Sequence, residues 1–159
     1  MERDDLNFLP VAINITGKKI LIIGGGKVGY HKAGILSRFT DKVTVVSPEF
    51  HEGFGSLPFT LIEKEYSKDD LDGVFLVYIC TENESLNVQI KKDTEQKGIL
   101  SGVCDNPALC DFISPAIFKK ENISIAVTSN ARNVRQSIDI RDRIKDLVEK
   151  GKLIIEQKK

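Results

Sequence analysis

Short apolar runs alternate with amphipathic stretches over the first two thirds of the chain, and that alternation predicts a β-α repeat. Lys19 to Ile23 is almost wholly apolar, the pattern of a strand buried on both faces. Lys27 to Phe39 carries Val28, Ala33, Ile35, Leu36 and Phe39 at mostly helical spacing. Lys42 to Val46 predicts a second buried strand, stopped by Ser47-Pro48. Phe50 to Leu57 contains glycine and is irregular, and Phe59 to Ile62 predicts a third strand. Ser67 is placed to cap a short helix ending near Gly73. Val74 to Cys80 predicts a strongly apolar central strand. Glu84 to Lys97 predicts an amphipathic helix with Leu86, Val88 and Ile90 as its apolar members and Gly98 as its stop. Ile99 to Cys104 predicts a fifth strand, and Val11 to Ile15 reads as a short strand or an extended lead-in.

The rhythm changes after Asp105. Phe112 to Phe118 and Ile123 to Val127 are β-rich and predict a hairpin around Lys119 to Asn122. Arg132 to Lys150 predicts one helix, with Val134, Ile138, Ile144, Leu147 and Val148 as its stripe and Gly151 as its stop. The expected fold is α/β: a Rossmann-like parallel sheet with helices on both faces, then a small β-hairpin and a C-terminal helix. The expected domains are residues 1–111, of Rossmann type, and residues 112–159, carrying the hairpin and helix.

Composition narrows the class. The chain has 159 residues, 41% of them hydrophobic and 29% charged, which suits a globular protein with a sizeable core. The formal net charge is zero, so no global field points to nucleic acid or to an anionic membrane. No apolar run is long enough for a membrane span, and Met1-Glu2-Arg3-Asp4-Asp5 is too charged for a secretory signal. The expected compartment is the cytoplasm. The three cysteines, Cys80, Cys104 and Cys110, are odd in number and have no histidine near them in sequence. They read as buried small hydrophobes rather than as a disulfide framework or metal ligands.

Gly24-Gly25-Gly26-Lys27-Val28-Gly29 follows the first strand and opens the first helix, the context that gives a G-x-G-x-x-G run its meaning. Gly24 can make the tight turn, Gly26 lets a pyrophosphate approach the backbone, and Gly29 lets the helix pack on the strand. Lys27 and Val28 supply free N–H groups at the helix start, facing the phosphate charge. At the end of the second strand the nearest carboxylate is Glu49, after Ser47-Pro48. It is either a ribose ligand or a solvated loop charge. No arginine stands there for a 2′-phosphate, which favours NAD over NADP.

Other chemistry is expected beyond the carboxyl ends of the strands, at Thr81-Glu82-Asn83, at Cys104-Asp105-Asn106-Pro107 and at Thr128-Ser129-Asn130. Asp105 can act as an acid or base, or it can cap an Asx turn ahead of Pro107. Ser129 can bind a ligand carboxylate or cap the helix that follows. Arg132 and Arg135, on the expected first turn, oppose the helix dipole and invite an anion.

These residues together resemble the precorrin-2 dehydrogenases of sirohaem synthesis, whether single proteins or the N-terminal module of sirohaem synthases. The resemblance runs through Phe8-Leu9-Pro10-Val11, Gly17-Lys18-Lys19, the glycine turn with Lys32-Ala33 behind it, and Val43-Thr44-Val45-Val46. It continues in Thr81-Glu82, Val103-Cys104-Asp105-Asn106-Pro107, Cys110-Asp111-Phe112, Pro115 and Ala126-Val127-Thr128-Ser129. It therefore spans about residues 8–130. Asp105 falls where the family has its catalytic aspartate, and Ser129 where it has a serine at the tetrapyrrole pocket. The family usually follows that serine with a Gly-Gly pair and a Ser-Pro. Here Asn130-Ala131 and then Asn133-Val134 stand instead.

The resemblance implies NAD-dependent oxidation of precorrin-2 to sirohydrochlorin and, for some members, insertion of Fe2+ with the same aspartate. Asp105 is then the catalytic residue. Gly24, Gly26, Lys27, Val28, Gly29, Ser47, Pro48, Glu49 and Thr81 form the expected cofactor site, and Ser129, Asn130, Arg132 and Arg135 the substrate site. Lys119 and Lys120 become further anion contacts. A homodimer formed through the segment after the Rossmann part is also implied. A non-catalytic NAD-sensing module, a tetrapyrrole carrier and an unrelated small dehydrogenase remain open at this stage.

Overall fold

The computed structural model describes residues 5–155. Met1 to Asp4, which carry most of the charge that argues against a secretory signal, lie outside the described residues. The main sheet is built from β1 (Lys19–Gly25), β2 (Val43–Phe50), β3 (Thr60–Glu63), β4 (Val74–Ile79) and β5 (Leu100–Val103). The strand order is β3-β2-β1-β4-β5, and every neighbouring pair is parallel.

β1 shows why its sequence is apolar throughout. Ile20 and Ile22 enter one core with Val43, Val45 and, from α1 (Lys27–Leu36), Ala33 and Leu36. Leu21 and Ile23 enter the opposite core with Val77, Ile79 and, from α2 (Glu84–Gln96), Ile90. All four β1 aliphatics are at most 2% exposed. Each such burial stabilises by about 1.5–3 kcal/mol. Helices thus cover both faces of the sheet, and the Rossmann-like expectation holds.

Several boundaries differ from the sequence reading, each for a local reason. β2 does not stop at Ser47-Pro48 but continues to Phe50. Its register with β1 passes from Ile23↔Val46 directly to Gly25↔Phe50. Pro48 sits inside that irregularity, where a missing N–H costs no ladder bond. α1 ends at Leu36, and Phe39 is 37% exposed in the turn that follows. On α2 the buried positions are Asn87, Ile90, Lys91, Asp93 and Thr94, so Val88 falls on the outer face, 39% exposed. β1 rather than β4 is the central strand. Val11 to Ile15 forms no strand.

Two compact units divide the chain: Val11–Phe112, and the residues before and after it. The expected division lay between residues 111 and 112 and kept the N-terminal residues with the sheet. Instead the lead-in up to Pro10 groups with the C-terminal segment. The Phe8 N–H donates to Asn130 Oδ1 at 2.6 Å, and the Asn130 amide donates to the Leu6 carbonyl. In that unit β6 (Ala116–Lys120) and β7 (Ile123–Val127) form an antiparallel hairpin. Its first strand begins at Ala116, not Phe112. Phe112 belongs with the sheet, its ring edge-on to Tyr78 at 5.2 Å. α3 (Val134–Glu149) starts after Asn133, whose side chain accepts from the Gln136 N–H at 2.9 Å. Val134 is 64% exposed, Leu147 40% and Ile138 38%, so these three members of the expected stripe stand outside the unit's core.

Candidate functional site

The glycine turn joins β1 to α1, and its glycines have distinct duties. Gly24 takes φ +111°, and an ideal Cβ there would stand 2.6 Å from the carbonyl carbon and oxygen of Cys80. A Cβ on Gly29 would collide with the carbonyl oxygen of Gly24. Gly26 is different: its Cβ would have nothing within 4 Å. Gly26 is also the N-cap of α1, and it offers no side chain to the first turn. That turn contains no acidic residue either. α2 and α3 are capped by the side chains of Asn83 and Asn133. The first-turn N–H groups of α1, those of Lys27 and Val28 among them, therefore lack the side-chain cap given to the other two helices. Uncapped donors over open space suit an anion such as pyrophosphate. Gly25 escaped the sequence reading. A Cβ there would strike the Glu49 carbonyl oxygen and stand 2.8 Å from the Phe50 ring. The run of three glycines was its only signal.

The strand order puts this turn at the switch point of the sheet, since β1 lies between β2 and β4. At the end of β2, Ser47 is buried while Pro48 and Glu49 are exposed. Just past β4, the Thr81 hydroxyl donates to Asn87 Oδ1 at 2.5 Å, and Asn87 Nδ2 donates back to the Thr81 carbonyl at 3.0 Å. The side chain of Thr81 is thereby tied to α2. Its backbone N, which would lie 2.9 Å from a Gly24 Cβ, is the group beside the turn.

Asp105 ends the stretch after β5, on the same carboxyl edge. It is an exposed non-glycine residue at φ +69°. That left-handed backbone costs an L-residue about 1–2 kcal/mol. Among the described residues its carboxylate has no hydrogen-bond or ion-pair partner, so the Asx-turn reading lacks the bond that defines it. Backbone closes the turn instead, with the Asn106 N–H donating to the Val103 carbonyl at 3.2 Å. Pro107–Leu109 then forms a 3₁₀ turn. An ion pair between buried Lys91 and the more exposed Asp111 holds the far end of this loop. The Lys91 ammonium lies 2.6 Å from Asp111 Oδ1, and Asp111 Oδ2 accepts from the Ser101 N–H at 2.9 Å. Neither partner was visible as a pair in the sequence.

The cysteines are not alike. Cys80 is buried, and Cys104 and Cys110 are half-buried. Cys80 Sγ and Cys104 Sγ lie 2.9 Å apart. The hydrogen bond from Cys80, helped by the charge of Lys32, pulls the Cys104 thiol below its usual range. The same bond, with burial, pushes Cys80 well up. Burial raises Cys110.

Ser129, Asn130, Arg132 and Arg135 belong to the other unit. Ser129 Oγ accepts from the Asn133 N–H at 2.9 Å, and its carbonyl accepts from the Arg132 N–H at 3.0 Å. Ser129 thus shapes the turn, while Asn133 caps α3. Arg132 stands two residues before α3 rather than on its first turn; Arg135 is on that turn, and both are exposed. Asn130 and Ala131 take φ +57° and +62°. This is backbone that glycine adopts freely, at the place where the resembling family carries Gly-Gly. Lys119 and Lys120 are exposed on β6, and the Lys119 ammonium donates to the Glu121 carbonyl at 2.9 Å.

Comparison with known proteins agrees with this geometry. The family model described as "Putative NAD(P)-binding" matches residues 11–116. A protein named siroheme synthase from Psychrobacter sp. (strain PRwf-1) is 35% identical over 150 residues, covering 92% of this chain and 31% of that protein. The siroheme synthase of Ectopseudomonas mendocina (strain ymp) is 35% identical over 142 residues, covering 84% of this chain and 31% of its own. The chain spans about a third of the length of these curated relatives. Among solved structures, one titled "SirC, precorrin-2 dehydrogenase" superposes with TM-score 0.75 at 18% identity, covering 87% of this chain and 70% of that one. That likeness is one of fold. No helix among the described residues is long and apolar enough to cross a membrane. With the glycine turn, the switch point and the family match in agreement over residues 11–116, the chain belongs to this NAD(P)-binding family.

Proposed function

We propose that this chain oxidises precorrin-2 to sirohydrochlorin with NAD, as one step of sirohaem synthesis. The observation that carries the reading is the uncapped N-terminus of α1, which opens over Gly26 at the switch point of the sheet. The relatives' names supply the substrate class.

Gly24, Gly26, Lys27, Val28 and Gly29 would hold the pyrophosphate, chiefly through backbone N–H groups. Ser47, Pro48 and Glu49 lie toward the ribose, where an exposed carboxylate and the lack of an arginine fit NAD better than NADP. The Thr81 backbone completes this side. NAD held by these residues would supply the acceptor for a hydride from the substrate carbon. The Asp105 carboxylate takes the proton from the adjacent carbon, so two hydrogens leave as hydride and proton and a double bond forms. Its unpartnered, exposed carboxylate and left-handed backbone suit a base held for a ligand. Asn130, Arg132 and Arg135, with the loop shaped by Ser129, meet the carboxylates of the tetrapyrrole. The exposed Val134, Ile138, Ile140 and Leu147 of α3 support a homodimer through this unit. A cytoplasmic location suits a tetrapyrrole intermediate and a nicotinamide cofactor. Insertion of Fe2+ has no comparable observation behind it. Among the described residues no group of three or more His, Cys, Asp or Glu is placed to hold a metal.

The test is anaerobic incubation of the purified chain with precorrin-2 and NAD, followed by absorbance. Conversion to sirohydrochlorin with matching NADH formation is expected. Tight NAD binding with no conversion would replace this reading by that of a nucleotide-sensing module.

A further inference from the structure

We propose that Cys80 and Cys104 form a redox-active dithiol, closed to a disulfide by exchange with a small-molecule disulfide and reopened by a small-molecule thiol. The geometry of two adjacent strands carries the inference. Ile79 and Val103 are register partners of β4 and β5, and Cys80 and Cys104 each follow one step later. The Cys104 N–H donates to the Ile79 carbonyl at 2.8 Å, and the Cys80 N–H to the Ile23 carbonyl at 2.7 Å, so both backbones are pinned. Neighbouring strands lie about 4.7–4.9 Å apart, inside the Cα separation of about 4.4–6.8 Å that a disulfide spans. Both thiols join the same side of the sheet, in the core of Ile20, Ile22 and Ala33. Their sulfurs are already 2.9 Å apart, and a bond needs about 2.05 Å. A shift of side-chain torsions supplies the difference without moving a strand.

Cys110 is the natural control. It packs with the opposite core, among Leu21, Val77 and Ile90, and its sulfur is tied to the backbone of Val103. The sheet stands between it and Cys80.

The chemistry balances as two exchanges. The Cys104 thiolate, favoured by the Cys80 hydrogen bond and by Lys32, attacks one sulfur of the small disulfide and expels its other half as a thiolate. Cys80 then loses its proton and attacks Cys104 Sγ, releasing the second small thiol. Two protein thiols are oxidised and one small disulfide is reduced to two thiols. Cys104 is half-buried, so the first attack has an approach, while Cys80 is reached only from within.

The location gives the bond a consequence, and this step rests on the function proposed above. Cys104 immediately precedes Asp105, and the Cys80 carbonyl is the group against Gly24. Closing the pair removes torsional freedom from the two residues that adjoin the proposed base and border the glycine turn. Turnover should fall when the bond closes and return when it opens.

The experiment equilibrates the whole chain in oxidised and reduced glutathione at a series of ratios. It quenches with an alkylating reagent and maps the peptides. The expected oxidised product has lost two of its three thiols, carries a Cys80–Cys104 cross-linked peptide and leaves Cys110 alkylated. Cys110→Ser should leave the cross-link intact, whereas Cys80→Ser should leave Cys104 as a stable glutathione adduct. Three free thiols at every ratio, or a cross-link to Cys110, would overturn the proposal without reference to any activity. If the cross-link forms but the oxidised chain oxidises precorrin-2 as fast as the reduced one, the coupling to the site is overturned. If the reduced chain shows no turnover either, it is the function reading that has failed.

Discussion

The Gly29 Cα rests directly on the carbonyl oxygen of Gly24, so the last glycine of the turn is packed against the first. This contact fixes how steeply α1 leaves β1, and with it where the first-turn N–H groups point. Gly26, between them, touches nothing where its Cβ would be. The same motif thus holds one glycine demanded by packing and one left open for a ligand.

That contrast yields a paired prediction. Gly29→Ala should destabilise the fold by about 1–3 kcal/mol, as overpacking does, and lower the melting temperature. Gly26→Val should cost no more than about 1 kcal/mol, the range of an altered N-cap, yet weaken NAD binding at least about tenfold by filling the pyrophosphate space. Thermal unfolding and titration calorimetry on both variants check this. Equal NAD affinity in a folded Gly26→Val chain would remove the pyrophosphate from that position.

The loop after Ser129 offers a stability test. Ala131 holds φ +62° with no side-chain hydrogen bond to compensate, whereas Asn130 holds φ +57° and bonds to the Leu6 and Phe8 backbones. Ala131→Gly should therefore stabilise the chain by about 0.5–1.5 kcal/mol, the left-handed cost of about 1–2 kcal/mol less the entropy glycine adds to the unfolded chain. Asn130→Gly should instead destabilise, because it deletes those bonds. A lower melting temperature for Ala131→Gly would mean that this backbone is not left-handed in solution.

Much of the sheet was legible because its physics is local. Ile20 to Ile23 read as a doubly buried strand since both faces of β1 are covered, and Gly98 read as a helix stop because glycine takes the φ +67° needed there at least cost. Other features depend on partners that no local pattern names. Pro48 is tolerated within β2 because β1 takes a shorter path at Gly25. Val88 loses its place in the core to Lys91 and Thr94, which find Asp111 and Ser101 across β5. The same holds for the candidate site: the glycine turn is a sequence motif, but the empty space over Gly26 and the pairing of Cys80 with Cys104 arise only from strand order. Left-handed backbone at Ala131 could not be read from a residue type that seldom adopts it, and at Asp105 and Asn130 the residue types allow it without requiring it.

The arginines test the substrate face. Arg135 lies on the first turn of α3 and Arg132 just before it, both exposed. Charge-assisted contacts contribute about 1.5–3 kcal/mol each, so Arg135→Ala should raise KM for the tetrapyrrole about 10–100-fold. The affinity for NAD should not change, because Arg135 belongs to the unit without the glycine turn. Steady-state kinetics with each substrate varied in turn separates the two. An unchanged KM for both would reduce the basic pair to solvated surface.

Asp105 carries the sharpest test, because the structure gives its two readings different consequences. As a turn cap it would accept a backbone hydrogen bond, and asparagine would replace it with little effect. No such bond is present among the described residues, and the turn is closed by the Asn106 N–H on the Val103 carbonyl. As a base it must offer a carboxylate, which asparagine lacks while keeping size and tolerance of φ +69°. Asp105→Asn should therefore leave the melting temperature and NAD affinity nearly unchanged and slow sirohydrochlorin formation by about 10²–10⁴-fold. Asp105→Gly separates strain from chemistry. It relieves the left-handed backbone and should raise stability by roughly 1 kcal/mol while losing the same activity. The measurement is the initial rate under saturating NAD with each purified variant, alongside thermal unfolding. If Asp105→Asn keeps a rate within a few-fold of the parent, proton removal belongs to another group or to water, and the strain at this position must serve some other end.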